Sequence, residues 1–223
     1  YRLGFLTSKT QRTMLHKLNT LGWPIGLQQG IEATTFSLTA IMVGWLGSLE
    51  LAAHQIAITI STVSYTIFLG IGSAVAIRTG FFKGIDDWER VRRITVAGLH
   101  IGVMTSTLVC LVLCAIRNDA SGLFTSNAEV ASIVVALMPI LILYQYFDGT
   151  QIILANALRG LADVKSIMWI SFITNILIAI PVGYLLGFTC GMGIAGIWIA
   201  YPAGFLFSDI LLGGRALRLM RGK

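Results

Sequence analysis

The run that decides the fold is residues 136–160, ALMPILILYQYFDGTQIILANALRG, which is long and apolar enough to cross a bilayer. Asp148 lies near its middle, with Tyr144 one helical turn before it and Gln151 one turn after it. An ionised carboxylate at the centre of a spanning helix costs about 2.5–3.5 kcal/mol on insertion scales. A chain retains such a residue where it faces protein or water, so Asp148 is a candidate functional residue.

The composition of the whole chain is that of a polytopic membrane protein. Of its 223 residues, 56% are hydrophobic and only 12% are charged, whereas soluble domains contain about a quarter charged residues. We predict an all-α membrane protein whose six transmembrane helices cover about residues 21–47, 51–77, 94–116, 130–158, 167–188 and 194–212. Residues 1–19 are predicted to be a cytoplasmic linker, residues 20–219 the six-helix lobe and residues 220–223 a cytoplasmic tail.

The basic residues predict the orientation. If successive loops alternate between the two sides, all but Arg117 of the 16 Lys and Arg residues fall on one side. The positive-inside rule then places both termini in the cytoplasm of a multi-pass cell-membrane protein, with a bacterial inner membrane expected. This placement also explains the net charge of +6 without a nucleic-acid partner. The three cysteines suggest neither a disulfide framework nor a metal site.

Four prolines fall in the predicted spans. Pro24 is expected in the first turn of span one, where proline is tolerated. Pro139, Pro181 and Pro202 lie within spans four, five and six. Breaks of this kind are flexing points in many transporters, although packing alone also explains many of them.

Three of the ten acidic residues lie inside predicted spans. Asp209 is six residues before Arg215 and is expected to snorkel to the cytoplasmic interface. Glu32 is about 17 Å and Asp148 about 15 Å from the inner end of its span, at 1.5 Å per residue. Neither span has a Lys or Arg at this depth. Two carboxylates at similar depth on separate helices would take up protons in a dry core, or bind a metal cation such as Na⁺ in a hydrated cavity.

Polar side chains form stripes on three of the spans. Their spacing of three or four residues predicts that each stripe occupies one helical face, so that together they line a hydrated interior. Interhelical hydrogen bonding by Thr, Ser and Gln is the alternative interpretation of the hydroxyl groups. The stripes are Gln28, Glu32, Thr35 and Thr39; Gln55, Thr59, Thr62 and Thr66, flanked by Ser61 and Tyr65; and Tyr144, Asp148 and Gln151.

Several segments resemble one transporter family. Residues 24–57, PIGLQQGIEATTFSLTAIMVGWLGSLELAAHQIA, resemble the start of the second half of multidrug and toxic compound extrusion (MATE) transporters. AIRTGFFKG at residues 76–84 resembles the basic loop of that family. LRGLADVKS at 158–166, IPVGYLLGF at 180–188 and GMGIAGIWIA at 191–200 resemble its last two spans.

The resemblance implies one lobe of a twelve-helix transporter that exchanges Na⁺ or H⁺ for organic cations and other small toxic compounds. The partners implied are the N-terminal six-helix lobe, membrane lipid and the xenobiotic substrate, with no cofactor beyond the coupling ion. It implies a cation site at Glu32, Asp148, Tyr65 and Tyr144, with Phe36 one turn after Glu32. Adjacent candidates for the substrate cavity are Phe36, Gln28, Thr35, Thr62 and Gln151.

Three other functions remain open from the sequence. A lipid-linked oligosaccharide flippase of the same superfamily would carry basic residues in its cavity, and no Lys or Arg is predicted at the midplane. An intramembrane enzyme would need a catalytic constellation, and His16, His54 and His100 are far apart in sequence. A membrane scaffold would not need two carboxylates at the midplane. We therefore predict a transporter and not an enzyme.

Overall fold

The computed structural model describes residues 12–116 and 125–221, and these residues fold into six long helices. The helices are α1 (Arg12–Gly44), α2 (Ser48–Gly84), α3 (Trp88–Ala115), α4 (Ala128–Gly160), α5 (Val164–Thr189) and α6 (Gly193–Arg221). Each predicted span overlaps one of them, although several of the helices extend beyond the predicted bounds. The all-α class and the six-helix bundle are therefore confirmed.

Five of these helices, α2 to α6, are long and apolar enough to cross a membrane. The remaining helix, α1, has 33 residues but carries Gln28, Gln29 and Glu32 near its middle, so its composition is more polar than that of the other five. It begins at Arg12, not near residue 21, and residues 12–19 of the predicted linker are helical. Pro24 therefore lies inside the helix and not in its first turn, which corrects the prediction from sequence.

Short turns join the helices, and local side chains define where the helices start. Asn127 precedes α4 and its side-chain oxygen accepts hydrogen bonds from Glu129 N at 2.8 Å and Val130 N at 3.3 Å. Asp87 caps α3 in the same way through Arg90 N. Gly191, in the turn between α5 and α6, has φ +69°, and Gly193, the first residue of α6, has φ +57°. Both are left-handed conformations that favour glycine.

Replacing Asn127 with Ala is expected to destabilise the first turn of α4 by about 1 kcal/mol, because two backbone N–H groups lose their acceptor. Hydrogen exchange of the amides of Glu129 and Val130 measures this effect directly and should become faster. Ser126→Ala is the matched control, since the adjacent Ser126 is exposed and makes no cap. Equal exchange rates in both variants would show that the cap contributes nothing.

Helix α4 is the centre of the bundle and packs against α2, α3 and α6. In one half of the bundle, Leu137, Met138 and Leu141 contact Trp198 and Tyr201 of α6. In the other half, the core residues are Leu154 and Leu158 of α4 and Leu161 directly after it, with Phe82, Val91, Leu212 and Ala216 of the surrounding helices. The polar residues of α4 between these two clusters are therefore held inside protein.

Helix α5 is the least regular of the six. It is π-helical at Phe172–Ala179 and again at Leu185–Thr189. The short α-helical segment between them, Ile180–Tyr184, contains Pro181. Wide π-helical turns relieve the loss of regular backbone hydrogen bonding near a proline, and they are frequent at functional sites.

Candidate functional site

Glu32 of α1 and Asp148 of α4 line one cavity, which has a volume of about 60 Å³. Five of the six helices contribute to its wall. The residues that line it are Gln28, Gln29, Glu32, Phe36, Tyr65, Leu69, Tyr144, Asp148, Gln151, Ile152, Ala155, Asn156, Arg159, Asn175 and Phe205. The structure thus brings together all four residues of the predicted cation site and three of the predicted substrate-cavity residues, Phe36, Gln28 and Gln151.

Asp148 is deeply buried in this wall, with 3% of its surface exposed. Its Oδ2 atom has no hydrogen-bond partner within residues 12–116 and 125–221. Tyr144, one turn earlier, is fixed by ring contacts with Tyr201 at 6.1 Å and Phe205 at 5.4 Å between centroids. This carboxylate oxygen is therefore available to accept a hydrogen bond or to coordinate a cation.

Glu32 is more accessible than Asp148 and is already hydrogen-bonded. Its Oε1 atom accepts from Gln28 Nε2 at 2.9 Å and from Ser171 Oγ at 3.0 Å. Asn175 in turn donates to the backbone oxygen of Ser171 at 3.0 Å. The Glu32 carboxylate is therefore oriented from α1 and from α5, so any change in its occupancy acts on both helices.

Arg159, in the last turn of α4, also lines the cavity. Its guanidinium donates from Nη2 to Gln28 Oε1 at 2.9 Å and from Nη1 to Asn156 Oδ1 at 3.3 Å. From sequence, this residue was assigned to the loop after span four, whereas the structure places it in the last turn of the helix with its side chain in the cavity wall. The spacing contained the signal, because Ala155 and Arg159 extend the face of Asp148 and Gln151 by two more turns.

A second cavity of about 270 Å³ adjoins the first. Its walls are mostly aromatic, and Phe36, Tyr65 and Tyr144 belong to both cavities. The lining residues are Phe36, Ile58, Ser61, Thr62, Tyr65, Tyr144, Trp198 and Tyr201. Trp198 and Tyr201 were not predicted from the sequence, although they are three residues apart, as residues on one helical face are.

Most of the predicted hydroxyl stripe is satisfied locally. Thr35 lines neither cavity, and its hydroxyl donates to Ile31 O in its own helix at 2.9 Å. Thr62 lines the second cavity but likewise donates to Ile58 O at 2.9 Å. The carboxylates, amides and guanidinium, rather than these hydroxyls, therefore supply most of the polar atoms that the site offers beyond bonds to the backbone of their own helix.

Asp209 differs from its expected position at the membrane interface. Helix α6 continues to Arg221, so Asp209 lies within the helix and not at its end. Its Oδ2 atom accepts a hydrogen bond from Thr150 of α4. The prediction of a snorkelling side chain is wrong, because a partner on the neighbouring helix holds the carboxyl group in the bundle. Asp209 does not line the cavity of Glu32 and Asp148.

The chemistry of the cavity is that of hard oxygen ligands. In the part of the chain that the structure describes, no three His, Cys, Asp or Glu residues cluster as a divalent-metal site would require. Two carboxylates with phenol and amide oxygens beside them suit a proton or a monovalent cation such as Na⁺. The aromatic rings that line the second cavity are suited to hold an organic cation through cation–π contacts.

Comparisons with known proteins identify the family. The MatE family model matches residues 24–185. The multidrug resistance protein NorM of Aliivibrio fischeri is 34% identical over 96% of this chain, and MdtK of Proteus mirabilis is 34% identical over 93% of it. The chain spans about half the length of these relatives, at 47% and 46%.

A solved structure has the same fold. The crystal structure of the eukaryotic MATE transporter AtDTX14 superposes with a TM-score of 0.87 at 22% identity, over 94% of this chain and 48% of that one. Members of this family are multi-pass membrane transporters, which agrees with the predicted localisation and with the prediction that the chain is not an enzyme. The matched residues, the relatives and the shared fold together show that the chain belongs to the MatE family of multidrug and toxic compound extrusion transporters.

Proposed function

We propose that this chain forms one six-helix lobe of a cation-coupled efflux antiporter in the cell membrane. Na⁺ or H⁺ entering the cell drives organic cations or other small toxic compounds outward by alternating access. The relatives are named as multidrug resistance proteins. Because they are about twice as long as this chain, the proposal assigns the remaining length to a second six-helix lobe that closes the transport pathway.

The observation that carries this proposal is the meeting of Glu32 and Asp148 in one cavity inside an apolar bundle. An ionised carboxylate in the interior of a membrane raises the free energy of the folded protein unless it pairs with a cationic group, takes up a proton or binds a cation. Asp148 keeps one buried oxygen without a partner among the described residues. That oxygen binds the coupling ion, while Glu32 and the phenol oxygens of Tyr65 and Tyr144 complete the surroundings of the ion.

The aromatic cavity is the proposed site for the organic substrate. Phe36, Tyr65 and Tyr144 line both this cavity and the cavity that contains the carboxylates, so the two cavities are neighbours. Trp198 and Tyr201 supply further aromatic faces. A substrate cation held there competes electrostatically with an ion at Asp148, and such competition is the basic requirement for exchange.

Coupling to a conformational change follows from the partners of Glu32. The carboxylate connects α1 with α5 through Ser171 at the start of the π-helical region. When an ion binds to the carboxylates, the hydrogen bonds of Gln28 and Ser171 to Glu32 weaken. The ion thereby stabilises one arrangement of α1 and α5 over the other, which is the differential binding that a population shift requires.

Among the described residues of this cavity, Arg159 is the one that would favour the alternative function, a lipid-linked oligosaccharide flippase, because a substrate with phosphate groups needs cationic partners. It is, however, outnumbered in the cavity by Glu32 and Asp148, and its Nη atoms already donate to Gln28 and Asn156. A cavity with excess negative charge repels phosphate. The geometry therefore favours a cationic substrate.

Efflux measured in vesicles tests the proposal. The complete protein, reconstituted in liposomes loaded with ethidium as the organic cation, should export the dye when an inward gradient of Na⁺ or of H⁺ is imposed separately. One of the two gradients is expected to raise the initial efflux rate at least about tenfold over vesicles without a gradient. Equal rates with and without either gradient would refute cation coupling.

A further inference from the structure

Arg159 introduces a fixed positive charge that the transport scheme above does not use. The ion pairs formed within residues 12–116 and 125–221 are Arg90–Asp87, Arg93–Glu89 and Arg215–Asp163. Arg159 is not among them, and its Nε atom is buried without a hydrogen-bond partner in the same part of the chain. A guanidinium does not lose its proton in proteins, so this charge is permanent.

Gln28 connects this charge to Glu32. The side chain is 2% exposed, and its amide accepts from Arg159 at Oε1 while donating to Glu32 from Nε2, both at 2.9 Å. The orientation of the amide follows from chemistry, because a guanidinium only donates and a carboxylate only accepts. The amide dipole is thus aligned between a cation and an anion, and it stabilises both.

The two carboxylates therefore have unequal surroundings. Glu32 Oε1 accepts two hydrogen bonds, one of them from the amide that Arg159 binds. Asp148 is 3% exposed and its Oδ2 has no partner among the described residues. With both carboxylates ionised, the cavity has two negative charges and one positive charge, and the uncompensated charge is at Asp148.

We propose that Arg159, acting through Gln28, is the built-in counter-ion of Glu32, and that it limits the cavity to one monovalent coupling cation per cycle, bound at Asp148. This inference rests on the proposed function and specifies its stoichiometry. Arg159 is a positioning residue in this scheme, since it touches Gln28 and Asn156 and not the ion. Its second effect is to weaken cation binding, which assists release of the ion on the inner side.

The alternative role for Arg159 is local. A cation in the last turn of a helix interacts favourably with the helix dipole and the last carbonyl groups. That role predicts altered stability but no change in the number or affinity of coupling ions. Variants that keep or remove the charge separate the two roles.

The test uses the complete protein and three substitutions, Arg159→Gln, Arg159→Lys and Gln28→Met, with Arg215→Gln as a matched loss of charge outside the cavity. The ion is the one that drives ethidium efflux in the vesicle experiment, either Na⁺ or H⁺. With the membrane potential clamped at zero, a graded ion gradient gives the exponent that relates dye accumulation to that gradient. The apparent melting temperature of the purified protein, measured at increasing concentrations of the same ion, gives the affinity of the protein for that ion.

The wild-type protein and Arg159→Lys should give an exponent of about one, because one cation per cycle makes accumulation proportional to the ion gradient. Arg159→Gln should bind the ion about tenfold more tightly, because a unit positive charge that repels the ion is removed from the wall of the same cavity. Its exponent should move toward two, since Glu32 then takes an ion of its own. Gln28→Met should shift the affinity in the same direction by a smaller factor.

Three results would overturn the inference while leaving the proposed function intact. The first is a wild-type exponent of two. The second is an unchanged affinity and exponent in Arg159→Gln, or in Gln28→Met where Arg159→Gln does not fold. The third is an Arg159→Lys protein that behaves like Arg159→Gln, which would assign the effect to packing and not to charge. Failure of the proposed function is a different outcome, in which no ion gradient drives efflux in the wild-type protein.

Discussion

Replacing Asp148 with Asn in the complete protein is expected to reduce cation-driven efflux to the level of empty vesicles. Asparagine has nearly the same shape, so the buried position stays filled and the helix packing is retained. It lacks the negative charge, however, and its side-chain oxygen is a far weaker partner for Na⁺ and does not take up a proton near neutral pH. Ethidium efflux under the driving gradient, normalised to the amount of reconstituted protein, measures the loss.

Glu32→Gln should give the same loss, because the Glu32 carboxylate completes the surroundings of the ion at Asp148 and connects that ion to α1 and α5. Two matched substitutions serve as controls. Asp209→Asn makes the same chemical change at the third intramembrane carboxyl group, which lies outside the cavity, and it retains an oxygen that accepts from Thr150. Glu50→Gln makes it in the first turn of α2. Wild-type efflux in both cavity variants would exclude Glu32 and Asp148 as the coupling site.

The carboxylate pair could be predicted from sequence because the depth of a residue in a spanning helix follows from counting residues. Glu32 and Asp148 lie at similar distances from the predicted inner ends of their spans, and the structure places both in one cavity wall. Tyr144 and Gln151 were found by their spacing from Asp148. Both predictions rest on distances along a helix, which the 1.5 Å rise fixes regardless of tertiary packing.

The rotation of a helix about its own axis could not be predicted in the same way. Thr35 and Phe36 follow Glu32 by three and four residues, so spacing alone makes either a plausible neighbour on the same face. In the structure Phe36 lines both cavities and Thr35 lines neither. The contacts of α1 with its neighbouring helices decide between the two, and no feature within α1 reports those contacts.

Arg159 was missed for a different reason. Hydropathy ends a span where charged residues begin, and the predicted fourth span therefore stopped at residue 158. The helix itself continues to Gly160, because its backbone hydrogen bonds do not depend on the polarity of the side chains. A long side chain in the last turn of such a helix can reach back along it. The guanidinium thus contacts Gln28 on α1 although its Cα atom lies beyond the apolar run.

Gly160→Val is expected to have the largest effect on stability, because α2 and α4 are in backbone contact at this position. A Cβ atom on residue 160 would collide with Thr79 Oγ1 and with the backbone oxygen of Ala76, and it would lie 3.1 Å from Ala76 C. Thr79 is fully buried and its hydroxyl is bonded to Val75 O at 2.8 Å, so it has no free space to move into. Overpacking of a tight interface costs about 1–3 kcal/mol, and a contact with backbone falls at the upper end.

The apparent melting temperature of the purified complete protein measures this cost. Gly160→Ala should lower it, and Gly160→Val should lower it further. Gly214→Ala on α6 is the matched control, because a Cβ atom there meets nothing within 4 Å. Replacing an exposed helical glycine with Ala stabilises by about 0.5–1 kcal/mol, so the control should melt at the wild-type temperature or slightly above it. The two glycines thus give opposite signs for the same added methyl group. If Gly160→Ala also melted at or above the wild-type temperature, the close approach of α2 and α4 would not exist in the protein, and the cavity wall that α4 supplies would have to be placed differently.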